Sequence, residues 1–229
     1  MSRSPDQALP PDQAEDYITA LKQVGQMVLQ GASWSGLEKH CTFLNTGQQR
    51  FGNISAISGL DFPDDGRAVA TVDWDHDGDL DLWFVNRTGP QVRVMRNELP
   101  RSQRFVAFRL EGTTSNRDAI GARVELSVTG QSEGERYVRT MRAGEGFIAQ
   151  SSRWVHFGLP GDASQVRHVE VRWPSGAVQR YAGIEAGGRY HLIEGRDAPV
   201  AVVLDAPTRT LAAAPVSAPK ATAWSRVLL

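Results

Sequence analysis

The chain has 229 residues, 41% of them hydrophobic, with 22 glycines and 12 prolines, which suits a turn-rich β protein of one large or two small domains. Its 25 basic and 26 acidic side chains leave a net charge of −1, and no basic run offers a surface for nucleic acid. The single cysteine, Cys41, excludes an internal disulfide framework, and no apolar run reaches the roughly 18 residues of a membrane span.

Residues 1–11 are polar and proline-rich, without the apolar core of a signal peptide, and are expected to form a disordered tail. Residues 12–33 read as a helix. Asp12 and Glu15 have capping-box spacing, Tyr17/Ile18, Leu21, Val24 and Val28 recur at helical intervals, and Gly31 stops the run. One amphipathic helix, about Gln13 to Gln30, is expected to pack its stripe on the rest of the protein.

From Cys41 the period changes to that of strands. CTFLN, the turn Asn45-Thr46-Gly47 and RFGNISAISGL read as a hairpin running into a loop. Short strands are expected at 41–44, about 50–54, 68–72 with 82–85, and 92–96, the content of one propeller blade. Such a blade buries too little to stand alone and must pack on neighbouring chain.

Within that stretch lies DWDHDGDLDL, Asp73 to Leu82, with an aspartate at every second position. In an ordinary strand these carboxylates would share a face and repel one another, a conflict that a cation resolves. Calcium takes six to eight oxygen ligands, and D-x-D-x-D-G-x-x-D can supply them. Asp73, Asp75, Asp77 and Asp81 would ligate by side chain and Asp79 by its carbonyl, with Gly78 permitting the sharp turn. An EF-hand is excluded, because its twelfth position needs a glutamate and here carries Phe84, and because the flanks AVATV and LWFV read as strands.

The second half alternates more cleanly. FVAFRLEG, GARVELSV, RYVRTMRAG, WVHFGL, VRHVEVRW, AVQRYAG and RYHLIEG follow one another with turn signals between them, which reads as an antiparallel sandwich or barrel over 101–196. Residues 197–229 are Ala/Pro-rich and resemble a linker, ending in the apolar WSRVLL as if the chain were cut from a longer one.

FLNTGQQRFGNISAISGL followed by FPDDGRAVATVDWDHDGDLDLWFVN resembles an FG-GAP/VCBS-type repeat, assigned to 34–100. NRDAIGARV (116–124), RAGEGFIAQSS (142–152), HFGL (156–159) and VRWPSG (171–176) resemble the ASPIC/UnbV domain found beside such repeats. That family includes cartilage acidic protein-like and bacterial exported proteins, usually with a full propeller of repeats, where this chain shows one clear repeat. The resemblance implies a calcium-bound interaction protein, extracellular or in the cell envelope, with Asp73, Asp75, Asp77, Asp79 and Asp81 at the metal positions. One bacterial namesake is encoded with enediyne biosynthesis genes.

Other motifs carry less. Arg117 and Asp118 could face a partner, with Glu145, although Asp118 also suits a turn cap and Arg117 a local ion pair. His156 lies between Val155 and Phe157 as a strand residue, and neither it nor the adjacent pair His40 and Cys41 forms a catalytic set. Trp34, Trp74, Trp83, Trp154 and Trp173 are scattered as core and rim residues are, though indoles also line sugar sites. The expectation is a mainly β protein: one N-terminal helix, one propeller-blade-like calcium repeat and an antiparallel β-sandwich or barrel. Its role would be a non-catalytic interaction or adhesion module for a protein or carbohydrate partner. The alternative is a metal-dependent enzyme, or an accessory in a biosynthetic pathway, using the acidic loop as a Lewis-acid site.

Overall fold

A computed structural model describes residues 11–30, 38–87, 90–98, 105–129, 136–160, 166–204 and the backbone of 224–228. Of the tail expected at 1–11, Pro11 is described and is helical, while 1–10, Trp34 and the linker stretch 205–223 lie outside the described residues. Two compact units result, one of residues 1–67 with 85–92, the other of 68–84 with 93–229.

In the first unit, α1 (Pro11–Leu29) begins one residue before the predicted cap, with proline in the first turn, where its missing N–H costs nothing. Its apolar stripe is not packed among the described residues: Tyr17, Ile18, Leu21 and Met27 are each about half exposed. β1 (Phe43–Gly47) and β2 (Arg50–Asn53) form an isolated antiparallel hairpin. Its turn falls at Gln48 and Gln49, both at positive φ, slightly later than the Asn45-Thr46-Gly47 expected, and Asn45 Oδ1 accepts the Gly47 N–H at 2.9 Å. A single helical turn, α2 (Ser55–Ser58), ends at Gly59 in the left-handed region. Leu60 and Phe62 are its buried apolar neighbours along the chain, and the His40 ring meets Phe62 edge-on.

Three four-stranded sheets follow. β3 (Gly66–Val72), β4 (Asp81–Asn86) and β5 (Val92–Asn97) join β14 (Trp224–Leu228) in the order β14-β5-β4-β3. The four segments expected to make one propeller blade do not share a sheet. Among the described residues the hairpin β1–β2 pairs with itself, and the fourth strand beside β5 is β14, whose Trp224 pairs with Asn97.

The seven alternating segments become β6 (Phe105–Glu111), β7 (Arg123–Val128), β8 (Tyr137–Thr140), β9 (Val155–Gly158), β10 (Val166–Arg172), β11 (Val178–Tyr181) and β12 (Arg189–Ile193). A short β13 (Val200–Ala201) follows inside the expected linker. Two four-stranded sheets form, β11-β10-β7-β8 and β13-β12-β6-β9, and neither closes into a barrel. All their pairings are antiparallel except β12 with β6, which run parallel with Arg189 opposite Ala107.

One core joins the two sheets. The period-2 pattern puts Val124, Leu126 and Val128 of β7 and Val169 and Val171 of β10 inward, against Val106, Phe108 and Leu110 of β6 and Leu192 of β12. Trp173 and Tyr181 are the largest side chains buried there, so one of the five indoles noted from sequence is core. β6 departs from simple alternation: Phe105 and Ala107, on its opposite face, are buried as well. Something must cover that face.

Candidate metal centre

The acidic loop is what covers Phe105. Between β3 and β4 the chain coils through Asp73 to Leu80, with His76 at φ 58° and Gly78 at φ 100°. Asp75 Oδ1 accepts the Asp77 N–H at 3.3 Å and Asp77 Oδ1 accepts the Asp79 N–H at 2.9 Å, so each carboxylate turns the backbone two residues further on. As a result Asp73, Asp75 and Asp77 each present an oxygen within 4.8 Å of the others. Ligands on opposite sides of a calcium ion, at about 2.3–2.6 Å each, lie about 4.6–5.2 Å apart, so the triplet fits one coordination shell as it stands.

Asp81 sits at the start of β4, almost fully buried. Its Oδ1 accepts the Asn97 N–H at 2.8 Å and its Oδ2 the Trp74 N–H at 3.0 Å. Burial outweighs these bonds and, with repulsion from Asp75 and Asp77, pushes its carboxyl up to about 6. Partial burial, then the Asp77 and Asp73 charges, also push Asp75 up. In both, burial acts first and the neighbouring carboxylates add to it. Asp81 is thus a brace as well as a predicted ligand, its remaining lone pairs still able to accept a cation.

The loop is fastened to the sandwich at two points. Arg189, at the start of β12, forms an ion pair with Asp73 Oδ2, both side chains being mostly buried, while Asp73 Oδ1 is buried without a hydrogen-bond partner. His156 of β9 approaches the Gly78 carbonyl with Nε2 at 2.9 Å. Phe105 lies between these anchors, stacked on His156 with rings 5.3 Å apart and covered by the Arg189 guanidinium at 4.7 Å. A Cβ on Gly78 would come within 2.3 Å of the Phe105 ring, so this position needs glycine for close approach as well as for φ. These contacts explain why the acidic loop groups with the sandwich unit, where the sequence suggested a boundary at 100/101. Arg189 and the loop contact of His156 were not foreseen, since their partners lie 116 and 78 residues away.

A cleft of about 240 Å³ opens beside Asp73, between the loop and the segment 139–152. Burial lowers the His156 pKa, which favours the neutral ring at this wall. The segment is tied to β3, because Ser152 N–H donates to the Thr71 carbonyl at 2.8 Å and Thr71 N–H to Ser151 Oγ at 3.2 Å. Glu145 lines the cleft, as does Trp154, while Trp74 and Trp83 pack against each other at 5.0 Å. Of the proposed partner residues, Arg117 is exposed and Asp118 is held in an ion pair with Arg153, whose hydrogen bond lowers the Asp118 pKa. The turn cap expected of Asp118 is made by Asn116, whose Oδ1 accepts the Ile120 N–H at 2.8 Å. Arg117 and Asp118 do not line the cleft.

The motifs of the second half converge on a residue that sequence reading passed over. Glu194, just beyond β12 and buried, accepts N–H groups from Thr113, Thr114 and Ser115 at 2.7–2.9 Å on Oε2. Its Oε1 accepts the hydroxyls of Ser115 at 2.9 Å and Ser175 at 2.5 Å. Burial works to raise this carboxyl, and the donated bonds outweigh it and bring it down to about 2. One carboxylate therefore closes the loop before Asn116, the Trp173-Pro174-Ser175-Gly176 turn and the end of β12 onto each other.

Residues 112–199, which include Glu194 and its hydrogen-bond donors, match the family model described as ASPIC and UnbV. No curated protein matches the chain. No helix among the described residues is long and apolar enough to cross a membrane.

Proposed function

We propose that the protein is a calcium-binding, non-catalytic interaction module of a secreted or envelope-associated protein, its FG-GAP/VCBS-type loop seated on an ASPIC/UnbV domain. The observation that carries this reading is the convergence of Asp73, Asp75 and Asp77 within one coordination shell, in a loop already oriented by Arg189 and His156. Asp79 would add its carbonyl and Asp81 a carboxylate oxygen, as the motif assigns them. Calcium here is structural, neutralising carboxylates that otherwise repel. The partner would be a protein or carbohydrate met by exposed loops such as those of Arg117 and Glu145.

Calcium should raise the melting temperature of chelator-stripped protein. With the ~10⁻⁴–10⁻³ M affinity common in extracellular modules, ~10 mM calcium adds on the order of 1.4–2.7 kcal/mol. A melting temperature unmoved across the titration rejects the reading. Calorimetry then separates the ligands: Asp75→Ala and Asp77→Ala each remove a charged donor and should weaken binding strongly, whereas Asp79→Asn keeps the carbonyl and should weaken it little. Equal losses at all these positions would indicate diffuse attraction in place of coordination.

The second reading, a metal-dependent enzyme or biosynthetic accessory, has one observation in its favour: the cleft reaches Asp73 and is lined by His76 and His156. Turnover of ester, phosphate or glycoside substrates that needs calcium and is lost in Asp75→Ala would support it. Unchanged substrates under those conditions favour the interaction module.

A further inference from the structure

The cleft beside the acidic loop has walls of two kinds. Leu80, Met141, Trp154 and Val155 are among its apolar lining residues, and Thr140, Gln150 and Ser151 among its polar ones. Its charges are Arg139, Arg142 and Arg189 against Asp73 and Glu145. Arg189 is engaged with Asp73, whereas Arg139 and Arg142 make no ion pair among the described residues.

We propose that this cleft binds a small monoanionic carboxylic acid, its carboxylate held by Arg139 and Arg142 and its apolar body laid against Met141 and Trp154. A guanidinium matches a carboxylate bidentately, and two of them three residues apart on one wall of a cleft can share one anion. Asp73, Glu145 and the acidic loop beside the cleft repel a dianion more strongly than a monoanion, which favours a carboxylate over a phosphate ester at the two guanidinium groups that have no ion pair among the described residues. The volume of about 240 Å³ lies just below the roughly 300–1,000 Å³ of pockets for drug-sized ligands, the scale of a small organic acid.

The rim is held in shape. Glu145 N–H donates to the Ala149 carbonyl at 3.0 Å, closing a loop whose tip carries Phe147 and Ile148, both exposed. Ile148 has φ 50°, a conformation costly for a β-branched residue. This exposed tip belongs to no core, and Glu145 and Gln150 on either side of it line the cleft.

The test is amide-shift NMR on the full chain with phenylacetate, phenylacetamide and inorganic phosphate as probes, each with and without calcium. Phenylacetate should produce saturable shifts at Thr140, Ser151 and Ser152, weakened at least tenfold in Arg139→Ala and in Arg142→Ala, whereas the neutral amide should produce none. Equal response to acid and amide, tighter binding of phosphate than of phenylacetate, or no saturable shift would overturn the proposal. So would binding that appears only with calcium, which would place the carboxylate on the ion. The acid-against-amide comparison uses the unaltered protein and stands even if a variant fails to fold.

Discussion

Glu194→Ala should lower the melting temperature by about 6–20 °C, the counterpart of a loss on the order of 3–5 kcal/mol for a chain of this length. The substitution strands three consecutive backbone N–H groups and two hydroxyls that now share one carboxylate. Charge and shape can be separated with Glu194→Gln. Because the folded carboxyl is held at about 2, below its ordinary 4.5, its contribution is complete above pH 4.5 and is lost as pH falls toward 2. The gap in melting temperature between wild type and Glu194→Gln should therefore be widest at neutral pH and narrow through that window. A gap independent of pH would show that side-chain shape alone matters.

Gly78→Ala should cost on the order of 2–4 kcal/mol, combining a left-handed φ with overpacking. The added Cβ meets a ring that cannot retreat, since Phe105 is stacked on His156 and covered by Arg189. Relief can come only by lifting the acidic loop, which pulls Asp77 and Asp79 out of place. Calcium affinity should fall along with stability, although no ligand has been removed. Normal melting and normal calcium binding in this variant would mean that the loop is not seated on Phe105.

Local pattern was legible in the sequence, and long-range pairing was not. All seven alternating segments of the second half are strands, because a half-buried strand writes its burial into period 2, as Val124, Leu126 and Val128 do. The aspartate spacing likewise located the acidic loop, since three carboxylates at alternate positions need only local turns to converge. Nothing local marks Glu194, whose donors lie about 80 residues earlier, or the pairing of Trp224 with Asn97 that supplies the fourth strand of the first sheet. The role of Asn116 was obscured by its neighbour, because aspartate and asparagine suit a turn equally and only the fold selects between them. The apolar stripe of α1 predicted burial that the described residues do not provide, since periodicity records an amphipathic face and not what covers it.

The parallel pairing of β12 with β6 bears on how the chain acquires its structure. Arg189 stands opposite Ala107 in that ladder, and the same strand delivers the guanidinium that holds Asp73. Contacts across such separations must close a large loop before they return any stabilisation, which places the domain among slow, high-contact-order folders. During synthesis, β6 and the acidic loop emerge well before the strand that pairs with the one and supplies Arg189 to the other. Until residues 189–194 are released, the nascent chain presents an unmatched strand edge and an Asp73 without its ion pair, so completion of the two-sheet domain waits on β12.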